Sequence, residues 1–436
     1  MSRCWGFLLR SLIVTKLLPR LPRSVWIILA LRSLPDIGVG MTYAFTMIYF
    51  HSIRGFSLPV AGLILAVSYG AGILAGGLGR YVDRHGPLIW VIIGSLGMAL
   101  GAIGYALATT VPIALMVAGE FGIAGGLFYT STSTLFANEV DESSLRDVFG
   151  TSYATMNLGL AVGGALASLI ANVHSPFSFQ VLFWCEAAAA TVFALLMAIF
   201  RPGRGGPATH PGASEPPTGE TTVSRPTAGR HRPRWLVPIV VLWLIECLTV
   251  FAGVGQLDNG FPVYVVTFLH DPARVIGAGF VANTLIIVII QIPVLHLTRR
   301  FSHRSLIAAG AILYGAAWPL AWLGGFHAFS SALRIAALVS VPAIIGIGET
   351  LQSASVPALT NELALPAQRG RYNAWMTSAW QVGPMMGAPI AGLLLASGSA
   401  DRWLLLLMVL CGVVALATLA LPKTGAIGGL SAATDE

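Results

Sequence analysis

The chain has 436 residues, of which 56% are apolar and only 10% charged, and its mean hydropathy is +0.78. A soluble domain carries about a quarter charged residues, so this composition excludes a soluble globular protein, and long unbroken apolar runs exclude a β-barrel, whose strands alternate. The formal net charge of +7 would suit a nucleic-acid partner, but its distribution argues against one. Of the 25 Lys and Arg residues, all but Arg32, Arg54, Arg274, Arg334 and Arg402 fall in the N-terminal arm, the C-terminal tail and alternate links between apolar runs. That is the positive-inside pattern, which predicts a multi-pass protein of the cell membrane with both termini cytoplasmic.

In chain order, residues 1–23 carry Arg3, Arg10, Lys16, Arg20 and Arg23 among Trp, Phe and Leu. Basic residues that persist up to the first apolar run do not fit a cleaved signal peptide, and the arm reads as a segment lying on the inner leaflet. Apolar runs long enough to cross a bilayer, which takes about 20 residues, are predicted at 24–50, 57–79, 87–108, 111–137, 148–171 and 178–200. Residues 201–234 follow, rich in Pro, Gly and Arg and without an apolar period, and read as a disordered cytoplasmic linker. Six more spans are predicted at 236–268, 275–298, 304–324, 333–359, 371–397 and 401–421, leaving 422–436 as a tail. The fold class is therefore an all-α integral membrane protein of twelve helices, with six-helix halves at 24–200 and 235–421. Cys4, Cys185, Cys247 and Cys411 show neither metal spacing nor a disulfide framework.

The two halves repeat. Asn138, Glu139 and Arg146 after span 4 recur as Asn361, Glu362 and Arg369 after span 10, each 223 residues later. At an offset of 220, Arg80 and Arg84 fall on Arg300 and Arg304, Asp36 on Gln256, and Gly40 on Gly260. Parallel repeats of this kind predict a pseudo-two-fold axis along the membrane normal and a substrate site between the halves near mid-depth.

The link between spans 2 and 3 reads GRYVDRHG over 79–86. With Gly79, Asp83, Arg84 and Gly86 it resembles the G-x-x-x-D-R-x-G loop of the major facilitator superfamily, although Pro87 and Leu88 stand where that family has a basic pair. Span 5 holds Gly159-x-x-x-Gly163-Gly164, similar to the antiporter motif G-x-x-x-G-P, and span 11 holds Gly383-Pro384-x-x-Gly387. Span 4 reads Gly119-Glu120 where drug–proton antiporters have an arginine. The resemblance covers nearly the whole chain and leans toward the twelve-span drug–proton antiporters. It implies a cytoplasmic latch in which Asp83 meets the N-terminal end of span 11 and Arg84 meets Glu139, with Arg146, Glu362 and Arg369 completing the two motif copies.

Six carboxylates fall inside spans: Asp36, Glu120, Glu186, Glu246, Asp258 and Glu349. A charge at the bilayer centre costs about 3 kcal/mol on insertion scales, so each must find a partner, a wet cavity or a proton. Asp36 follows Pro35 and shares a helical face with Gly40 and Tyr43; Arg32, one turn earlier, either pairs with it structurally or switches it. Asp258, flanked by Gly255 and Pro262, is placed on a broken helix lining a cavity or at an interfacial end. Glu120 lies among glycines, and Glu349 shares a face with Gln352. Arg32, Asp36, Asp258 and Glu120 are the proton-coupling candidates. Tyr43, Glu349, Gln352, Tyr153, Asn157, Trp380 and Gln381 are the substrate-cavity candidates. Glu186 and Glu246 have apolar sequence neighbours and read as lying near a membrane surface.

The sequence contains no phosphate-binding G-x-x-x-x-G-K-[ST] loop, no metal-spaced His/Cys set and no nucleophile elbow, so no cofactor, metal or enzymatic chemistry is expected. The resemblance implies a monomeric secondary transporter working by alternating access, with protons, a small-molecule substrate and the lipid bilayer as partners. Proton-coupled export of an amphipathic small molecule or drug is the favoured form. Uptake or facilitated diffusion of a polar metabolite, and a receptor or scaffold on the same fold, are the alternatives.

Overall fold

The computed structural model describes residues 21–75, 82, 84–141, 144–201, 236–298, 300–326, 328–363 and 369–421. Among them are twelve helices long and apolar enough to cross a membrane, one for each predicted span. They are α1 Arg23–Thr42, α2 Leu58–Ala75, α3 Pro87–Leu107, α4 Val111–Glu139, α5 Leu145–Ile170 and α6 Pro176–Phe200 in the first half. The second half holds α7 Leu236–Ala252, whose span continues through the short pieces described below to Phe268, then α8 Arg274–Leu297, α9 His303–Gly324, α10 Ser331–Leu363, α11 Arg369–Ala396 and α12 Ala400–Ala420. The helical choice follows from the solvent: with no water to satisfy them, backbone groups in the hydrocarbon core must bond within their own segment. Proline marks the starts of α3, α4 and α6, where its missing N–H is no loss, and Ser302 caps α9 by accepting from the Ser305 amide at 3.2 Å.

Two spans are not the continuous helices that apolar length alone predicts. After α1 the chain turns at residues 43–45, resumes as Thr46–Ile48, and ends in a five-residue π-helical turn, Tyr49–Ile53. After α7 it breaks at Gly253, continues as Val254–Asp258, breaks again at Asn259, and runs through Gly260–Val263 into a second π-helical turn, Tyr264–Phe268. The repeat thus extends to the irregularities. Each π turn sits over an aromatic cluster at the end of the bundle away from the chain termini, here called the distal end. Tyr49 packs 4.8 Å from Phe183 in one half, and Trp318 packs 5.7 Å from Trp403 in the other.

Within the first half, α1 packs closely on α5 through glycine. Gly163 lies against the Ile37 carbonyl, and Gly40 against the Leu160 carbonyl. Between halves, α2 meets α11 at the distal end, where a β-carbon at Gly62 would sit 2.5 Å from the Ala388 carbonyl oxygen and Gly392 lies against the Leu58 carbonyl. Also at that end, Ser168 of α5 packs on Gly277 of α8. Small residues let backbones approach in a medium that offers no hydrophobic drive between helices. The described glycine approaches that bring backbone to backbone across the two halves are all distal, so this conformation is sealed on that side.

Candidate functional site

The buried carboxylates occupy two kinds of place. Asp258 and Glu349 lie on the seam between the halves. Asp258, at the end of its short helical piece before the Asn259 break, is 5% exposed and faces the Tyr43 hydroxyl of the first half. Tyr43 in turn lies 3.5 Å from the Tyr69 hydroxyl, and Asn259 adjoins Tyr69. Glu349 of α10 accepts a 2.6 Å hydrogen bond from the Tyr153 hydroxyl of α5, with Asn283 of α8 alongside. The first half therefore sends two tyrosines across the seam, each to meet an acid of the second half. Asp258 is buried rather than interfacial, because the broken helix ends inside the bundle.

Asp36 and Arg32 lie within the first half. The guanidinium Nε stands 3.7 Å from the Asp36 carboxylate, one helical turn along α1. Other guanidinium nitrogens reach Ser152 and the Met156 sulfur of α5, and the ring of Tyr129 on α4 lies beneath the charge at 5.5 Å. Asp36 is 1% exposed, and neither carboxylate oxygen makes a hydrogen bond. Gly159, the first glycine of the span 5 motif, makes room for it: a β-carbon there would lie 2.7 Å from that of Asp36. The motif thus seats the acid as well as packing the helices.

Other expected site residues are more scattered. Glu120 is half-buried on the α3 side of α4, against Gly97 and Gly101, and stands apart from the seam. Gln352 points to Gly310 of α9, with its amide nitrogen unpartnered. Gln381 reaches toward Gly72 of α2, across the seam. Asn157 donates to the Tyr153 carbonyl of its own helix at 2.9 Å. Trp380 is partly exposed and adjoins Glu246, whose Oε2 has no hydrogen bond.

Glu186 and Glu246, expected near a membrane surface, are instead buried in the two bundles at 1% and 3% exposure. Apolar neighbours in sequence report only the residue's own helix, whereas Glu186 is met by Thr42 of α1, whose hydroxyl donates at 2.8 Å. Sequence reading missed this pair. The only signal for it was that a threonine and an acid both lay inside spans.

Gly79 and Asp83 of the latch lie outside the described residues, as do the 1–20 part of the basic arm, residues 202–235 and the tail; the side chains of Arg146 and Arg369 are likewise outside. Arg84 is exposed and makes no ion pair with Glu139 in this conformation. In the second half, His303, which matches Asp83 in the repeat, lies 3.4 Å from Glu362. Among the described residues no group of His, Cys, Asp and Glu has the arrangement of a metal centre.

Comparison with known proteins agrees with this architecture. The sequence profile described as "Major Facilitator Superfamily" matches residues 25–273 and 261–426. The MFS-type transporter YqjV of Bacillus subtilis (strain 168) is 22% identical over 383 residues, covering 87% of this chain and 88% of its own. A Na(+), Li(+), K(+)/H(+) antiporter of Planococcus maritimus is also 22% identical, covering 80% of this chain and 84% of its own. Among solved structures, a POT family transporter in complex with a thioalcohol-conjugated peptide superposes with a TM-score of 0.70 at 16% identity. That match covers 91% of this chain and 95% of the other.

Proposed function

Because the chain belongs to the Major Facilitator Superfamily, and so is a multi-pass secondary transporter of a small-molecule substrate, we propose that it is a proton-coupled exporter of amphipathic small molecules. Transport then runs by alternating access, the halves rocking about the seam. The observation that carries the coupling is the Arg32–Asp36 pair: a buried carboxylate with no hydrogen bond and one cation 3.7 Å away. A guanidinium with alternative partners in Ser152, Met156 and Tyr129 can leave the acid without ceasing to be solvated. Losing that cation favours the protonated carboxyl, and regaining it favours the carboxylate. A relative at the level of whole-chain similarity is a cation/proton antiporter, which supports proton exchange.

Tyr153, Trp380 and Met385 near the seam offer aromatic and thioether surface beside Glu349 and Glu246. Such a lining favours an amphipathic substrate with a cationic centre over a polar metabolite. The tyrosine–acid contacts across the seam help hold the sealed conformation and must part for the distal side to open. One chain contains both halves, so a monomer suffices.

The test is reconstitution in proteoliposomes carrying an internal pH dye, with ethidium as the amphipathic cation. Adding ethidium to one side should draw protons out to that same side, and an imposed pH gradient should drive ethidium uphill. Ethidium movement that is indifferent to the pH gradient would contradict proton coupling. The charge distribution further supports a cytoplasmic position for both termini and the 201–234 linker. A cysteine introduced in that linker should resist an impermeant maleimide in intact cells, and labelling would reverse the assigned topology.

A further inference from the structure

The first half holds a partly open cavity of about 80 Å³ among α1, α2, α3, α4 and α6, which borders the seam at Tyr43 and Tyr69. Its wall carries five aromatic residues, Tyr43, Tyr69, Tyr105, Phe121 and Phe183, and one acid, Glu186. Two buried oxygen groups on this wall lack partners. Glu186 Oε1 makes no hydrogen bond, although its Oε2 accepts from Thr42, and the Tyr105 hydroxyl makes none of normal geometry, with Ser68 beside it. Thr46 adds a further hydroxyl to the lining.

We infer that this cavity is a binding site for a single alkali-metal cation. The donors are all oxygen: a carboxylate, the Thr42, Ser68 and Thr46 hydroxyls, and the phenols of Tyr105, Tyr43 and Tyr69. Oxygen sets of this kind take hard cations, whereas sulfur and imidazole are absent from the wall. One carboxylate supplies one negative charge, which balances a monovalent ion and leaves a divalent ion uncompensated in a low-dielectric interior. Size excludes an amphipathic substrate. Drug-sized ligands occupy about 300–1,000 Å³, several times this volume, while a bare cation with one or two waters fits. Tyr43 belongs both to this wall and to the contact with Asp258, so filling the cavity bears directly on the seam.

The test uses the full-length protein purified in detergent at alkaline pH, where proton competition is weakest. Binding of radioactive Na+ is measured with choline chloride holding ionic strength constant, and Li+ and K+ serve as competitors. Saturable binding near one ion per chain is expected, displaced by Li+ or K+ and unaffected by choline. Glu186→Gln should lower the affinity by at least about tenfold, the loss seen even for groups that merely support a metal ligand, and Thr42→Val and Tyr105→Phe should each lower it less. If Glu186→Gln does not fold, the Thr42→Val and Tyr105→Phe affinities carry the test. Absence of saturable binding in the unmodified protein, or unchanged affinity in all variants that fold, would overturn the site and assign Glu186 a proton alone. None of these readouts requires transport, so a failed site and a failed export mechanism give different results.

Discussion

Asp36 of α1 and Gln256 of the short helix Val254–Asp258 that follows α7 hold matching positions in the two halves, 220 residues apart, and their surroundings differ in kind. Gln256 is fully engaged: its amide nitrogen donates to the Gly387 carbonyl of α11 at 3.2 Å, and its oxygen accepts from the Trp403 indole of α12 at 2.9 Å. It pins three elements of the second half together. Asp36 faces the corresponding helix of its own half, α5, but bonds to none of its groups and keeps only the distant Arg32. A neutral amide with both ends satisfied has nothing to exchange. An acid that makes no hydrogen bond and has one cation 3.7 Å away, itself also held by Ser152 and Met156, has a partner that can be exchanged for a proton. The repeat therefore holds two copies of one position: the Gln256 copy ties helices together, and the Asp36 copy is the proposed switch.

The comparison is broken most severely by Arg32→Ala. Removing one partner of a buried pair leaves an uncompensated charge and costs about 3–5 kcal/mol, read as a large fall in the thermal midpoint. The double variant Arg32→Ala with Asp36→Asn should recover most of that loss, and a double variant no more stable than Arg32→Ala would show that the pair does not interact. Next in size is Gln256→Leu, which strands the Trp403 indole and should cost about 1–3 kcal/mol, while the ratio of protons to substrate stays unchanged. A changed ratio would mean that the second half also couples. Tyr153→Phe removes the hydrogen bond to Glu349 across the seam, a bond that in membrane bundles averages about 0.6 kcal/mol and reaches about 1.7 kcal/mol at most. Spin labels at the distal ends of α2 and α11 should then report more of the separated population; an unmoved distance distribution would remove this bond from the gate. The smallest effect belongs to Asp83→Asn. An anion at a helix N-terminus is worth about 0.3–1 kcal/mol, so transport should slow by a few-fold with substrate binding retained, and an unchanged rate would dismiss the latch.

How much of this was legible in the sequence follows the physics of each feature. Span positions come from hydrophobic length, a property of consecutive residues, and all twelve stand where the apolar runs put them. The break after α7 was written in Gly255 and Pro262, which flank Asp258. The turn at residues 43–45 has no such mark, because Tyr, Ala and Phe there carry no helix-breaking chemistry. The Arg32–Asp36 pair was visible because both lie on one helix, four residues apart. Tyr153 with Glu349, Tyr43 with Asp258 and Thr42 with Glu186 join residues more than 140 positions apart. Nothing in one helix's periodicity states which residue of another helix it will meet. Glu186 was passed over for that reason, with Ala187 to Ala190 following it and its hydroxyl partner five spans away.

The central claim, that Asp36 alone of the matched pair carries the proton, is tested most directly by Asp36→Asn in proteoliposomes measured in two modes. With ethidium on both sides and no gradient, labelled substrate should still exchange at a rate comparable to the unmodified protein, because the rocking machinery and the seam are intact. With an imposed pH gradient, uphill accumulation should vanish. If Asp36→Asn still concentrates ethidium against its gradient, with the pH dependence of the unmodified protein, the switch lies elsewhere and the contrast between Asp36 and Gln256 has no part in coupling.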